Sequence, residues 1–449
     1  MLSTQKKTYS EPSKVRSKAD PTLNRLGVAD RAAHSWYRFV LSFPPHLVRE
    51  YVENFGLREG STLLDPFCGT GTTVVEAKKL GIRGIGLEAN PMAAFAGQTK
   101  LDWKLSPNVL RSLAEEVRDT ALTQLERDGI PDGDPLEAMR SSRHRSVVLR
   151  TLEPAAMDLL LANSISPNPL HKVLVLLEAI DLFKGRRGYE HARLALARSV
   201  VETSSNLHFG PEVGVSPPKA DAPVVDPWFA GVMEMATHLQ ELKPQSHVES
   251  IVYFGDSRDA GKFLRPASID AVFTSPPYPN EKDYTRTTRL ESVLLGFLRD
   301  MDELRSFKKG LIRSNTRTAY KSDTDDLFVA KHAEIQRIAA EIERRRIEMS
   351  KTSGFEKMYH RVTKLYFGGM ARHLSEIRPA LKPGAMLGYV VGDQASYLRV
   401  MIRTGELLAD LAKGLGYEVV RIDLFRTRLA TATKEQLREE TVVLRWPGK

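Results

Sequence analysis

One cysteine, Cys68, stands among 449 residues. That scarcity excludes an internal disulfide framework and any cysteine-based zinc cluster, and it suits a reducing compartment. No metal site is expected. No apolar run approaches the ~18 residues of a membrane span, and the N-terminus lacks the apolar core of a secretion signal. The expectation is a soluble, cytoplasmic chain without membrane association. Acidic residues are also outnumbered: 56 Asp and Glu against 65 Lys and Arg leave a formal charge of +9. Such a balance suits a polyanionic partner without naming one. The length is ample for a large core and points to two or three domains.

What the sequence does hold is a strand that ends abruptly. Asp270-Ala271-Val272-Phe273-Thr274 reads as a buried strand, and Ser275-Pro276-Pro277-Tyr278 breaks it. Proline cannot donate to a sheet ladder and pushes its predecessor out of the helical region. A stiff, extended turn carrying one hydroxyl, turned-out carbonyls and one aromatic face follows. Such a loop suits a flat heterocycle bearing an amino group.

The rest of the chain arranges itself around that strand. Residues 1–25 are polar, carry Lys6, Lys7, Lys14, Arg16 and Lys18, and read as a disordered basic tail. The aromatic stretch from Trp36 leads to Phe43-Pro44-Pro45-His46, opening an amphipathic helix through Tyr51. Ser61–Asp65 is a short strand, followed by the turn Pro66-Phe67-Cys68-Gly69-Thr70-Gly71 and a helix from about Thr72. Glycines at a strand-to-helix turn let the backbone approach a ligand, and the helix N-terminus offers free amide donors. The next strand, Gly84–Leu87, ends on Glu88, where doubly wound folds hold a nucleoside's ribose hydroxyls.

Residues 105–248 read as a helical insert, with helices near 110–127, 154–164, 170–183, 190–203 and 228–242 and no strand alternation. Basic clusters fall at Arg140, Arg143, His144 and Arg145 and at Lys184, Arg186, Arg187 and Arg193. Strands resume at 250–254, followed by Gly255-Asp256. A helix near 288–298 precedes a charged helical insert, 301–355, whose Arg344-Arg345-Arg346 reads as a solvated helix face. The end returns to α/β rhythm: a helix near 355–381, strand 386–391, a helix near 403–415, and strands 418–424 and 441–446. The expected division is 1–25, 26–104, 105–248, 249–300, 301–355 and 356–449, one interrupted parallel sheet rather than a string of domains.

Asp65-Pro66-Phe67-Cys68-Gly69-Thr70-Gly71-Thr72 resembles the cofactor motif of amino-directed DNA methyltransferases. Thr274-Ser275-Pro276-Pro277-Tyr278 resembles their catalytic motif, in the Ser-Pro-Pro-Tyr form typical of N4-cytosine enzymes; adenine-N6 enzymes more often place Asp or Asn at the position of Ser275. Phe43-Pro44 resembles the family's additional cofactor segment, and Gly255-Asp256 the acidic position near the cofactor's adenine. The likeness covers about 34–104, 249–300 and 356–446. It departs from the commonest pattern in placing the cofactor motif before the catalytic one.

The resemblance implies an α/β, Rossmann-like methyltransferase sheet with large helical insertions, S-adenosylmethionine as cofactor and double-stranded DNA as substrate. It implies a monomer or homodimer with a cognate restriction endonuclease as a companion. Ser275 Oγ and the Pro276 carbonyl would accept the amino protons of a flipped base, Pro277 would stiffen the loop, and Tyr278 would stack on the base. Phe43, Pro44, Asp65, Phe67, Gly69, Gly71, Thr72, Glu88 and Asp256 would form the cofactor site. Residues 105–248 would carry target recognition. A carbon-5 cytosine enzyme needs a cysteine nucleophile beside the catalytic proline, and Cys68 is elsewhere. Adenine-N6 and RNA amino-methylation remain the rivals. A dinucleotide oxidoreductase fits less well, since the turn lacks the third glycine.

Overall fold

The computed structural model describes residues 26–38, 43–132, 148–210, 212–280, 282–429 and 436–448. The expected basic tail 1–25 and the cluster from Arg140 to Arg145 lie outside the described residues.

The strands, in chain order, are β1 (Thr62–Asp65), β2 (Arg83–Glu88), β3 (Leu207–Phe209), β4 (Val213–Val215), β5 (Ile251–Phe254), β6 (Ile269–Thr274), β7 (Leu381–Gly392), β8 (Glu418–Leu429) and β9 (Gln436–Arg445). Seven of them form one sheet in the order β5-β2-β1-β6-β7-β9-β8. The first five are parallel, and β9 runs antiparallel to both neighbours. β8 and β9 are joined directly, with room for a hairpin but not for the crossover a parallel pair requires. The order reverses between β1 and β6, so a crevice opens beyond their carboxyl ends, the usual place for ligands in open α/β sheets.

Period-two alternation sorts the strand side chains into two cores. Leu64, Val272, Leu387, Tyr389 and Val442 face the helices Tyr359–Ile377 and Thr404–Gly414. Leu63, Ala271, Phe273, Val390 and Val443 face the helix Pro45–Asn54. Full burial of each such side chain contributes roughly 1.5–3 kcal/mol.

Residues 105–248 are helical in the main, over Pro107–Arg127, Pro167–Asp181, Tyr189–Ser199 and Val225–Leu242. They do not form a core of their own: Trp228, Val173 and Leu196 pack in one cluster with Trp36, Val74 and Val75 of the cofactor-motif segment. Two details depart from the expected run of helices. The helix from Pro154 ends at Met157, and the chain continues in turns to Asn163, whose φ of 61° is left-handed. The insert also contains the β3–β4 hairpin. In the charged insert, Ile335, Ile338 and Ile342 of the helix Ala333–Glu348 pack against Val362 and Tyr366 of the sheet-covering helix.

The three consecutive arginines divide in role. Arg344 and Arg346 pair with Glu341, Glu343 and Glu348 of their own helix, as a solvated face would. Arg345 lies 3.5 Å from Glu341 through Nε and also reaches across with Nη1 to donate to the carbonyls of Leu398 and Arg399 at 3.0 and 3.1 Å.

Candidate active site

Both motifs open from carboxyl ends of adjacent strands, β1 and β6, and buried hydrogen bonds tie them together. Thr274 Oγ1 donates to Asp65 Oδ1 at 2.5 Å, and Thr73 Oγ1 donates to the Phe273 carbonyl at 3.3 Å. Asp65 also accepts the Phe67 amide at 3.1 Å. Burial raises its pKa to about 6 against these donors, and its side chain serves the two loops rather than lining the cavity they enclose.

The turn after β1 reaches the helix Thr72–Lys79 through Gly71, whose φ of 90° is closed to most side chains. No side chain caps this helix, so its first amides stay available to a ligand. Glu88, at the end of β2, accepts the Gly69 amide at 2.7 Å with one carboxylate oxygen and the Asn90 amide at 2.7 Å with the other. Burial lifts its pKa to about 7. Each oxygen keeps a further lone pair for a ligand hydroxyl.

These elements enclose a cavity of about 750 Å³, within the range of small-molecule sites. Phe43, Pro44, Phe67, Gly69, Thr72, Glu88 and Asp256 line one part; Ser275, Pro276, Pro277 and Tyr278 line another. Asp65 and Gly71 stand behind the wall as supports. Phe43 sits edge-on to Phe273 with ring centroids 5.7 Å apart. Asp256 is already engaged: its carboxylate pairs with Arg258 at 2.6 Å and accepts the Arg258 amide at 2.9 Å.

Tyr278 is partly buried, and its ring lies against Gly392 at the end of β7. A Cβ at position 392 would fall 2.9 Å from the ring. Burial and the nearby Glu439 push the Tyr278 hydroxyl well above its ordinary pKa, so it stays protonated.

Several residues of the site carry no legible sequence signal. His373 braces the wall from behind, its ring 4.8 Å from that of Phe67 and its Nε2 2.8 Å from the Tyr389 hydroxyl. Burial lowers its pKa to about 4, so it is neutral. Lys100 is buried beneath the cofactor turn and donates to the Thr70 carbonyl at 3.1 Å; burial lowers its pKa to about 7. Asn280, Gln394 and Glu212 also line the cavity. Glu212 belongs to the turn of the β3–β4 hairpin, 3.9 Å from Arg286, so the helical insert reaches the cavity.

A nucleoside cofactor fits these residues. Space is open over Gly69, Glu88 offers acceptors, and the buried Ser257 hydroxyl beside Asp256 has no partner among the described residues. Among the described residues no group of three His, Cys, Asp or Glu could hold a metal, and no helix is long and apolar enough to cross a membrane.

Comparison with known proteins fits this geometry. The N6/N4 methyltransferase family, described as DNA methylase, matches residues 4–95. The type II methyltransferase M.BsoBI of Geobacillus stearothermophilus is 24% identical over 449 aligned residues, covering 93% of this chain and 84% of that protein. Over residues 4–95 the chain is similar to the amino-directed N6/N4 methyltransferases. A second relative, the type II methyltransferase M.AvaI of a Nostoc species, is 29% identical over 195 residues, 40% of this chain and 38% of its own. A shorter likeness, 43% over 47 residues, links 10% of this chain to 14% of a tRNA (guanine(10)-N2)-dimethyltransferase from Methanothermobacter thermautotrophicus.

The basic cluster at 184–193 is largely spoken for. Arg186 pairs with Glu116, Arg187 donates to the Lys104 carbonyl, and Arg193 donates to the Leu295 carbonyl. Lys184 remains exposed.

Proposed function

We propose that the chain is a site-specific DNA methyltransferase acting on the N4 amino group of cytosine, with S-adenosylmethionine as methyl donor. The observation carrying this reading is the opening of the Ser275–Tyr278 loop onto the same cavity as Glu88 and the Gly69 turn. The cofactor supplies an electrophilic sulfonium methyl. Glu88 would hold its ribose hydroxyls, the free amides at Thr72 and the Gly69 turn its amino-acid end, Phe43, Pro44 and Phe67 its flat faces, and Asp256 with Ser257 the region of its adenine.

The residues of the catalytic loop act on the target base. The exocyclic nitrogen is conjugated with its ring and is a poor nucleophile. Ser275 Oγ and the Pro276 carbonyl accept hydrogen bonds from its two N–H groups, favouring a tetrahedral nitrogen whose lone pair would take the methyl as the C–S bond breaks, the sulfonium leaving as a neutral thioether and one amino proton passing to water. Tyr278 stacks on the base after it leaves the duplex. Serine is a weak acceptor, so most of the acceleration is positioning of two reactants, an effect that can remove about 7–11 kcal/mol from a barrier. Ser275, in place of an acidic or amide residue, is what favours cytosine over adenine.

Residues 105–248 carry target recognition in this reading, through the hairpin that brings Glu212 to the cavity. Basic side chains of both inserts contact phosphates, and other side chains read base edges in the major groove. A companion restriction endonuclease belongs to this reading, as does a methyltransferase that is itself a monomer or homodimer.

Labelled-methyl transfer from S-adenosylmethionine to unmethylated duplex DNA tests the proposal. Wild type is expected to label DNA, and Pro277→Ala to lose at least about 100-fold in rate while binding the cofactor normally. A wild-type protein that binds cofactor but labels only structured RNA would overturn the choice of substrate.

A further inference from the structure

Beyond Gly392 the chain forms a pinched loop at the carboxyl edge of the sheet. Gln394 and Ile402 pair as an antiparallel bridge, with N···O distances of 3.1 and 2.7 Å. At the loop's tip Leu398 and Arg399 take φ of 54° and 62°, a left-handed conformation that side chains seldom adopt. Contacts from the charged insert hold that tip: Tyr397 donates its hydroxyl to the Ser314 carbonyl at 2.9 Å, and Arg345 donates to both tip carbonyls. A tip so constrained fixes where Gln394 stands.

Gln394 is 3% exposed and lines the cavity with Ser275, Tyr278 and Asn280. Its amide nitrogen has no hydrogen-bond partner among the described residues. Buried polar groups nearly always find one, and an unmet donor destabilises the site that contains it. Asn280, by contrast, already uses its side-chain oxygen to accept the Lys282 amide at 2.9 Å. An unpaired buried donor on the wall of a ligand cavity is a place for an acceptor that arrives with the ligand.

We propose that Gln394 Nε2 donates to the ring acceptor adjacent to the reacting amino group of the target base, which in cytosine is N3. This rests on the reading of the cavity as an amino-methylation site. With Ser275 and Pro276 accepting from the amino group, the neighbouring ring position requires a donor from the protein. The same donor repels thymine and uracil, whose position 3 carries an N–H. Gln394 thus selects for a base that presents an amino group beside an unprotonated ring nitrogen.

The test pairs a protein change with a change of one base atom. Once sequencing has located the methylated position, duplexes carry either cytosine or 3-deazacytosine there; the analogue keeps the amino group and loses the N3 acceptor. Wild type is expected to fall about 10- to 100-fold in kcat/KM on the analogue. Gln394→Ala should start near the lower value and respond little to the analogue, with its Kd for S-adenosylmethionine unchanged. Gln394→Glu, isosteric but without the donor, should behave alike and carries the cycle should the alanine variant fail to fold. Equal sensitivity to the analogue in wild type and variants would overturn the proposal, as would an insensitive wild type. If unmodified duplex yields N6-methyladenine, the cytosine reading fails separately, and the same cycle run with 1-deazaadenine still decides the role of Gln394.

Discussion

Glu88 is a buried carboxylate that holds the backbone and, in the proposed reading, the cofactor's ribose as well. It holds the Gly69 and Asn90 amides, and burial lifts its pKa to about 7. Accepting from a ribose diol needs the ionised form. As pH falls through about 7, Glu88 gains a proton and one oxygen becomes a donor. Cofactor affinity should therefore weaken below that pH, approaching tenfold per unit, and flatten above it. Stability moves the other way. A carboxyl whose folded pKa is raised from 4.5 contributes most to stability while protonated, and that contribution is lost as pH rises toward about 7. Titration calorimetry with S-adenosylmethionine from about pH 6 to 9 checks this expectation; Glu88→Gln should bind weakly with no such dependence. A wild-type affinity flat across the range would remove Glu88 from the site.

Strand ends, at the scale of elements, position the chemistry. The turn after β1, the Ser275–Tyr278 loop after β6 and the loop after β7 meet at one edge of the sheet, joined by the Thr274–Asp65 bond and by the Tyr278 ring on Gly392. Gly392→Ala would drive a methyl group into that ring at 2.9 Å. The rate should fall about 100-fold, the scale of a misplacement of about an ångström, with cofactor affinity retained. Single-turnover kinetics beside a binding titration separates the two effects; a loss of both together would point to a wider disturbance.

This edge was the most legible part of the chain, for a physical reason. Positive-φ glycines and consecutive prolines restrict the backbone in ways few other residues can replace, so the turns after β1 and β6 declare themselves locally. The loop after β7 does not. Leu398 and Arg399 are held left-handed by Arg345, about fifty residues away in sequence, and nothing in Gln394-Ala395-Ser396 announces a cavity wall. His373 and Lys100 are silent likewise, since burial beneath a loop leaves no mark on sequence periodicity. The β3–β4 hairpin is only three residues a side, too short for alternation to register.

The whole molecule joins parts that the sequence separates. Residues 105–248 read as an insert, and apart from the short helix Pro154–Met157 their helices fall close to the expected spans, but Trp228 and Val173 share a core with Val74 and Val75 of the helix after β1. Which residues of distant segments pack together is a tertiary matter that local pattern does not carry. Trp228 is fully buried and donates Nε1–H to the Ala192 carbonyl at 2.9 Å. Trp228→Ala should cost about 3–5 kcal/mol and lower the unfolding midpoint of insert and cofactor part together. Denaturation followed by far-UV circular dichroism and by cofactor binding should give coincident curves. Two transitions, with only one displaced, would mean that the insert folds apart.

Nucleoside mass spectrometry of DNA methylated by the wild-type protein identifies the atom that receives the methyl group. N4-methylcytosine is the expected product, absent when Pro277→Ala replaces wild type. N6-methyladenine would preserve the loop's chemistry and contradict the assignment that Ser275 supports.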